Sequence, residues 1–564
     1  MPNDDGFIRV LEGISGKRRV LTGDDATRQY RTGFRCGRGA AIAVVRPRSL
    51  IEQWRVLEAC VAADKIILMQ AANTGLTGGS TPDGDDYDRD VVIVNTMSLA
   101  TVHVIDAGRQ VICLPGATLD QLEKALEPYG REPHSVIGSS CLGASVIGGI
   151  CNNSGGALIR RGPAYTQMSL FARLDENGRL QLVNNLGLHL GEGPEEMLDR
   201  LERGGFEPAA IDHDPARRGS DPDYARRVRE IDSDRPARFN ADPGRLYEAS
   251  GCAGRIALFA VRLDTFPRDE QTRVFYIGSR DPAELTELRR HVLSNFESLP
   301  VAGEYLHRHL FDLAAVYGKD AFLTIQYLGT RRLPGFFRFK RTLDSFVASD
   351  KWLQRLGRLF PEHLPARMRD FRDRFDHHLI LKMAGPGIAE AAGHLGSIFP
   401  SGSGDFFECT EVEARKAFLH RFVAAGAAVR YRTLHEREVE DIVALDVALR
   451  RNDRSWCEVL PDEISAQVHL ALYYGHFFCH VFHRDYLVRQ GCDPEAVKRA
   501  LLERLDERGA EYPAEHNVGH LYRAKPALVE FYRQLDPCNH FNPGIGQTPR
   551  SKHWGRTSTI DDRP

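Results

Sequence analysis

No stretch of this chain stays apolar for the eighteen or so residues that a helix needs to cross a bilayer, so no membrane-spanning helix is expected. The first ten residues carry Asp4 and Asp5 and lack an apolar run, so no export signal is expected either. Eleven cysteines are scattered without a single Cys-x-x-Cys pair, which reads as reduced, mostly buried thiols on the cytoplasmic side. A formal net charge of −3 excludes a general nucleic-acid binder. There is no internal repeat and no low-complexity tract. What remains is ordinary folded material, 42% hydrophobic and 27% charged, too long at 564 residues for one core.

The densest local signal is Met69-Gln70-Ala71-Ala72-Asn73-Thr74-Gly75-Leu76-Thr77-Gly78-Gly79-Ser80, directly after the apolar run Ile66-Ile67-Leu68. Side chains this small let backbone N–H groups close on an anion. A second loop follows, Val136-Ile137-Gly138-Ser139-Ser140, then Gly143-Ala144-Ser145 and Asn152-Asn153-Ser154-Gly155-Gly156. Two such loops suit a long ligand with a diphosphate in its middle. Neither contains the lysine of a P-loop, and neither has the Gly-x-Gly-x-x-Gly spacing of a Rossmann turn.

Around these loops the chain alternates strand-like runs (41–45, 91–94, 256–265) with helix-like ones (50–63, 119–126), an α+β pattern. Residues 204–235 are crowded with Asp, Arg, Pro and Gly, and a solvated insertion is predicted there. Residues 331–376 hold twelve Lys and Arg against six acids, interleaved with Phe336, Phe337, Phe339 and Trp352. That mixture suits docking on an anionic phospholipid surface, although a charge run alone is more often a solvated face.

His476 and His483 lie seven apart, and Glu515 and His516 are adjacent. By residue type alone they read either as structural histidines or as a divalent-metal ligand set. Arg421 sits inside the apolar stretch Phe418-Leu419-His420-Arg421-Phe422, and Arg450 follows the apolar run 445–449. A lone arginine is commonly a surface ion pair; one in an apolar stretch is a candidate for a substrate carboxylate.

The two-loop pattern resembles the FAD-binding domain of the vanillyl-alcohol oxidase and p-cresol methylhydroxylase superfamily. Arg131-Glu132-Pro133-His134-Ser135-Val136-Ile137-Gly138, Arg161-Gly162-Pro163-Ala164-Tyr165-Thr166, Gly251-Cys252-Ala253-Gly254 and Asn542-Pro543-Gly544 then resemble the bacterial quinone-dependent D-lactate dehydrogenases. The resemblance implies an α+β fold: a p-cresol methylhydroxylase (PCMH)-type FAD-binding domain of two α/β subdomains, an α/β cap, and a small helical basic membrane-binding segment. It places the FAD-binding domain at 1–265, completed by 521–564. The cap is expected at 266–325 and 378–520, and the membrane-binding segment at 326–377.

It also implies noncovalent FAD held by Ala71, Ala72, Asn73, Thr74, Gly75, Gly79, Ser80, Gly138, Ser145 and Gly155, with Leu258 at the adenine end. His516 would be the base that takes the hydroxyl proton of D-lactate, Arg421 the carboxylate clamp and Arg450 its neighbour. A divalent metal such as zinc would lie on His476, His483 and Glu515, although Phe-Phe-Cys-His-Val-Phe between the two histidines departs from related enzymes. The expected setting is peripheral, on the cytoplasmic face of a bacterial inner membrane, with membrane quinone as electron acceptor. The rival expectation is a soluble FAD-dependent dehydrogenase of another D-2-hydroxy acid such as 2-hydroxyglutarate.

Overall fold

The computed structural model describes residues 4–134, 143–214, 216–328 and 362–555. Its first sheet is made by β1 (Val20–Leu21), β2 (Ala43–Val45), β3 (Ile66–Gln70) and β4 (Val91–Asn95), in the order β1-β2-β4-β3. β2, β4 and β3 run parallel, and β2 and β4 are buried at every position, as strands covered on both faces must be. The crossover between β2 and β3 is the helix Leu50–Ala62, started by Ser49, whose Oγ accepts from the Glu52 N–H at 3.1 Å. β3 therefore delivers residues 71–81 at the carboxyl end of a parallel strand, where α/β sheets bind ligands. The chain returns to the same strand near its end: Ile67 N donates to His540 O at 3.0 Å and Asn542 N to Ile67 O at 3.0 Å.

A second, antiparallel sheet has the order β5-β6-β10-β8-β9, with β5 (Val102–Ile105), β6 (Gln110–Cys113), β8 (Ser169–Leu174), β9 (Leu180–Asn184) and β10 (Ala257–Asp264). A two-stranded ribbon pairs β7 (Arg131–Glu132) with β11 (Phe266–Pro267). The predicted helix at 119–126 is present as Leu119–Leu126, capped by Thr118 and Gln121 in a reciprocal box.

The third sheet carries seven strands in the order β15-β12-β14-β13-β17-β18-β16. They are β12 (Thr272–Ser279), β13 (Ala302–His307), β14 (His377–Ala384), β15 (Gly404–Glu408), β16 (Val439–Ala448), β17 (Val468–His476) and β18 (Val481–Arg489). Period-two alternation divides its side chains between two cores. Tyr305, Val443, Leu445, Phe482 and Tyr486 face one; Leu306, Leu472, Tyr474 and Leu487 face the other, beneath the helices Arg308–Tyr317 and Glu411–Leu434. No helix among the described residues is long and apolar enough to cross a membrane.

One expectation changes in part here. The stretch 204–235 is not solvated throughout: its first part is mostly exposed, but within the helix Tyr224–Arg229, Tyr224 and Val228 are fully buried in the cap core. Its charges are spent internally, with Asp221 bonded to both Arg227 and Arg245 at 2.6 Å. Of the basic segment, residues 331–361 lie outside the described residues, as does Gly138 of the second loop. The remaining part forms the helix Ala366–Arg374, which buries Met368 and Phe371 against the cap. Three of its four arginines are paired: Arg372 with Asp312 at 2.5 Å, Arg374 with Asp405 at 2.7 Å, and Arg367 with Glu413.

Candidate active site

The flavin-side half of the site is mostly backbone. Among the described residues, no N–H from Ala72 through Ser80 donates to a protein acceptor. The loop is shaped by its side chains instead. Asn73, at φ 53°, donates to Thr32 O at 2.9 Å and accepts from Ser80 Oγ at 2.9 Å. Gly79 O is held by Asn542 Nδ2 at 2.9 Å, and a Cβ on Gly75 would meet nothing within 4 Å. Unsatisfied, half-buried N–H groups are costly unless an anion or water takes them, so this loop fits the diphosphate of FAD.

Ser145 caps the helix Val146–Cys151, accepting from Gly148 N at 3.1 Å. Leu258 lies on β10 in the apolar core with Val146, Ile147 and Ile150. Gly155 abuts Glu515 so closely that a Cβ would collide with its carboxylate, and Gly156 N donates to that carboxylate at 3.2 Å. Both loops therefore converge on residues 514–520. His520 N donates to Thr77 O at 2.9 Å, and Asn517 Nδ2 to Asn152 Oδ1 at 2.6 Å.

The cap supplies charged and titratable side chains, and sheet register aligns them. Glu304 on β13 is opposite His476 on β17; Tyr474 is opposite His483 on β18; His483 is opposite Asp446 on β16. The His-x6-His spacing is a hairpin whose tip, Phe477, Phe478 and Cys479, turns into the core at the other sheet face. The apolar linker thus packs away from the two imidazoles and does not crowd them. His476 Nε2 is 3.1 Å and His483 Nε2 3.9 Å from Glu515 Oε2, and the three ligand atoms of this set lie within 4.8 Å of one another. Each imidazole is held from behind: His476 Nδ1 by Glu304 at 2.7 Å, His483 Nδ1 by Asp446 at 3.3 Å. Carboxylates behind Nδ1 and nitrogens facing a third carboxylate make a donor set that could hold a divalent metal.

The charges are strongly coupled. Burial disfavours the His476 imidazolium, yet Glu304 and Glu515 raise it to about 10. Burial likewise opposes ionisation of Glu515, but His476 and Arg238 hold its carboxyl well below the usual range. Arg238 bonds that carboxylate directly and donates to Gly156 O at 2.5 Å, tying the cap-facing acid to the second flavin loop.

His516 stands at the junction. Its Nδ1 lies 3.0 Å from Asp446 Oδ2, which also accepts from the backbone N–H groups of Glu515 at 2.7 Å and His516 at 3.0 Å. Against the effect of burial, Asp446 raises the imidazole above its ordinary value. With 35% of its side chain exposed and Nε2 unbonded within the described residues, His516 can accept a proton from a ligand in the cleft. Arg421, on the helix Glu411–Leu434, reaches the same cluster: its Nε is 3.0 Å from Glu304, and its guanidinium lies 4.6 Å from the Tyr474 ring centre.

Arg450 is not brought to this cluster. Four residues beyond Asp446 it has left β16, and its guanidinium packs on Gly509, with Nε donating to Gly509 O at 3.4 Å. Sequence reasoning missed Glu304, Asp446 and Arg238 as members. The available signal was a lone acid within an apolar strand, as in Val443-Ala444-Leu445-Asp446-Val447.

Two family models match the chain: an FAD binding domain over residues 41–181, and "D-lactate dehydrogenase, membrane binding" over residues 274–554. The quinone-dependent D-lactate dehydrogenase of Escherichia coli K12 is 58% identical over 557 residues, 97% of each chain. The mitochondrial D-2-hydroxyglutarate dehydrogenase of Bos taurus is 29% identical over only 155 residues, 27% of each. Among solved structures, p-cresol methylhydroxylase with substrate bound superposes with a TM-score of 0.59 over 97% of each chain at 13% identity, a likeness of fold. The chain belongs to the family of quinone-dependent D-lactate dehydrogenases, built on the PCMH-type FAD-binding fold.

Proposed function

We propose that this chain oxidises D-lactate to pyruvate with noncovalently bound FAD and delivers the electrons to membrane quinone. The observation that carries the reading is the placement of the Asp446–His516 pair on the segment where both flavin loops converge. FAD would lie along residues 71–75, Gly79, Ser80, Ser145 and Gly155, with Leu258 at the adenine end; Gly138 is proposed with them from the sequence alone. Bound FAD supplies the two-electron acceptor. The protein supplies the rest. His516 Nε2 takes the hydroxyl proton, and Asp446 fixes the tautomer and stabilises the imidazolium that results. Arg421, fixed by Glu304 and Tyr474, offers its free guanidinium edge to the carboxylate from the cap side.

His476, His483 and Glu515 would hold a divalent cation such as zinc, which would lower the pKa of a coordinated hydroxyl group. The enzyme works at a membrane surface, on the cytoplasmic face, with the basic residues of 331–376 against anionic phospholipid. Sedimentation with anionic vesicles is expected to fall as salt rises.

Anaerobic titration of the purified yellow protein tests the reading. D-lactate is expected to bleach the flavin stoichiometrically, L-lactate and D-2-hydroxyglutarate to leave it oxidised, and a short-chain quinone to restore the colour. Bleaching by D-2-hydroxyglutarate and not by D-lactate would overturn it.

A further inference from the structure

Three rungs of the third sheet bear on the reaction, and register fixes their order. On the first, Glu304 of β13 is opposite His476 of β17; on the second, Tyr474 is opposite His483 of β18, and His483 opposite Asp446 of β16. The third pairs Leu472, Asp485 and Ala444 in the same way. Side chains two residues apart share a face, so Asp485 follows His483 at about 7 Å along the strand. Beyond it, Leu487 is fully buried in the apolar core beneath the helices Arg308–Tyr317 and Glu411–Leu434. Ala444 is exposed. The space beside the reaction centre is therefore one rung deep, floored by Asp485 and open on the Ala444 side.

The buried acids around this centre differ in how they are matched. Glu304 lies 2.7 Å from His476 and 3.0 Å from Arg421. Asp446 lies 3.3 Å from His483 and 3.0 Å from His516. Glu515 lies 3.1 Å from His476 and is bonded to Arg238. Asp485 is buried as well, yet among the described residues no Lys, Arg or His stands within ion-pair distance of it. Its side chain is held instead by the Tyr474 hydroxyl, which donates to Oδ2 at 3.4 Å. The same tyrosine ring lies 4.6 Å from the Arg421 guanidinium and 5.0 Å from the His483 ring, so one side chain spans the clamp, the reaction centre and the unmatched acid. Burying a carboxyl group without a cation costs stability, and a role in choosing the substrate accounts for its presence.

We propose that Asp485 sets the substrate class: it bars 2-hydroxy acids that carry a second carboxylate and admits those with a short apolar side chain. This rests on the reading of the chain as a D-lactate-oxidising flavoenzyme and deepens it. D-lactate, clamped at Arg421 with its hydroxyl at His516, ends in a methyl group that stops short of Asp485. D-2-hydroxyglutarate, clamped the same way, carries a second carboxylate two methylenes further, onto the third rung. Two carboxylates brought together in a buried site with no cation between them repel strongly. Rejection by an unpaired charge needs no steric block, so an uncharged acid of the same length is accepted.

The test uses the holoenzyme and Asp485→Asn, which keeps the size of the side chain and an acceptor for Tyr474, each first checked for FAD content and thermal melting. Flavin reduction is followed anaerobically with D-lactate, D-2-hydroxyglutarate and D-2-hydroxyvalerate, the last having the carbon chain of hydroxyglutarate without its second charge. In the parent, D-2-hydroxyvalerate is expected to reduce the flavin more efficiently than D-2-hydroxyglutarate by about tenfold or more, the worth of one unfavourable charge contact. In Asp485→Asn, efficiency with D-2-hydroxyglutarate relative to D-lactate is expected to rise by about tenfold to a hundredfold, while that with D-2-hydroxyvalerate relative to D-lactate changes far less. Binding of 2-oxoglutarate, read from the absorbance of the oxidised flavin, should tighten in the same variant. If the parent is not bleached by D-lactate, the functional reading fails. If the parent is bleached but treats hydroxyvalerate and hydroxyglutarate alike, chain length and not charge sets the limit, and the assignment of Asp485 is overturned; this comparison needs no variant. Discrimination against D-2-hydroxyglutarate as sharp in Asp485→Asn as in the parent overturns it too.

Discussion

The two halves of this molecule meet on residues 514–520 and bring opposite materials to the junction. The FAD-binding half offers backbone: N–H groups without acceptors among the described residues across 72–80, glycines, and amides that hold loops in place. The cap offers side chains: Glu304, Asp446, His476, His483 and Arg421, aligned by sheet register and charged against one another. Gly155 and Glu515 mark the seam, where absence of a side chain on one side accommodates a carboxylate from the other. Backbone can hold a cofactor without titrating, whereas moving a proton needs groups whose pKa values are set by neighbours. Changes in the first half should therefore affect flavin content, and changes in the second should affect rate and pH dependence.

The largest break in that division is expected from Gly75→Val. No protein atom lies within 4 Å of the new Cβ, so the fold should accept it, while the branched side chain blocks the diphosphate. Colourless protein with parental far-ultraviolet dichroism is the expected product; full flavin occupancy would remove this loop from the cofactor site.

Asp446→Asn addresses the other half. Flavin content should stay intact while the reduction rate drops by about 10- to 100-fold, as for the loss of an outer partner of a functional histidine. Asp446 raises the His516 imidazole, so in the parent the neutral base appears at higher pH; without the carboxylate the rate profile should move to lower pH. A profile that does not move would separate Asp446 from His516 in function.

The smallest effect sharpens the comparison through stability. His378 and His420 lie fully buried in the cap, with no hydrogen bond to either ring nitrogen among the described residues, and burial pushes both down to about 3. In the unfolded chain an imidazole protonates near pH ~6.5, so these two leave stability unchanged above that pH and weaken it as pH falls from there toward 3. Replacing His420 by Leu should flatten part of the loss of melting temperature between pH 7.5 and 5. Identical pH dependence in variant and parent would contradict the assignment.

The same division decides what could be read from the chain before folding. The two small-residue loops stand out because small residues cluster within a few positions, and the hairpin histidines because their spacing is local. Asp446 reaches the site through the pairing of β16 with β18, opposite His483, and Glu304 through the pairing of β13 with β17, 172 residues before His476, and no local pattern announces either. Arg450 stands out in sequence because it follows the apolar run 445–449, but beyond the end of β16 at Ala448 its guanidinium packs on Gly509. Residues 204–235 read as solvated because charge dominates their composition. Around buried Tyr224, however, Asp221 satisfies both Arg227 and Arg245. Composition reports how many charges a segment carries, not whether they are paired.

The central claim is that the junction residue His516 is the base that starts the reaction, and single-turnover reduction of the His516→Ala holoenzyme by saturating D-lactate tests it most directly. With FAD content and thermal melting at parental levels, the rate of flavin bleaching is expected to fall by roughly two to four decades, the worth of a positioned general base. Bleaching at the parental rate would contradict the account.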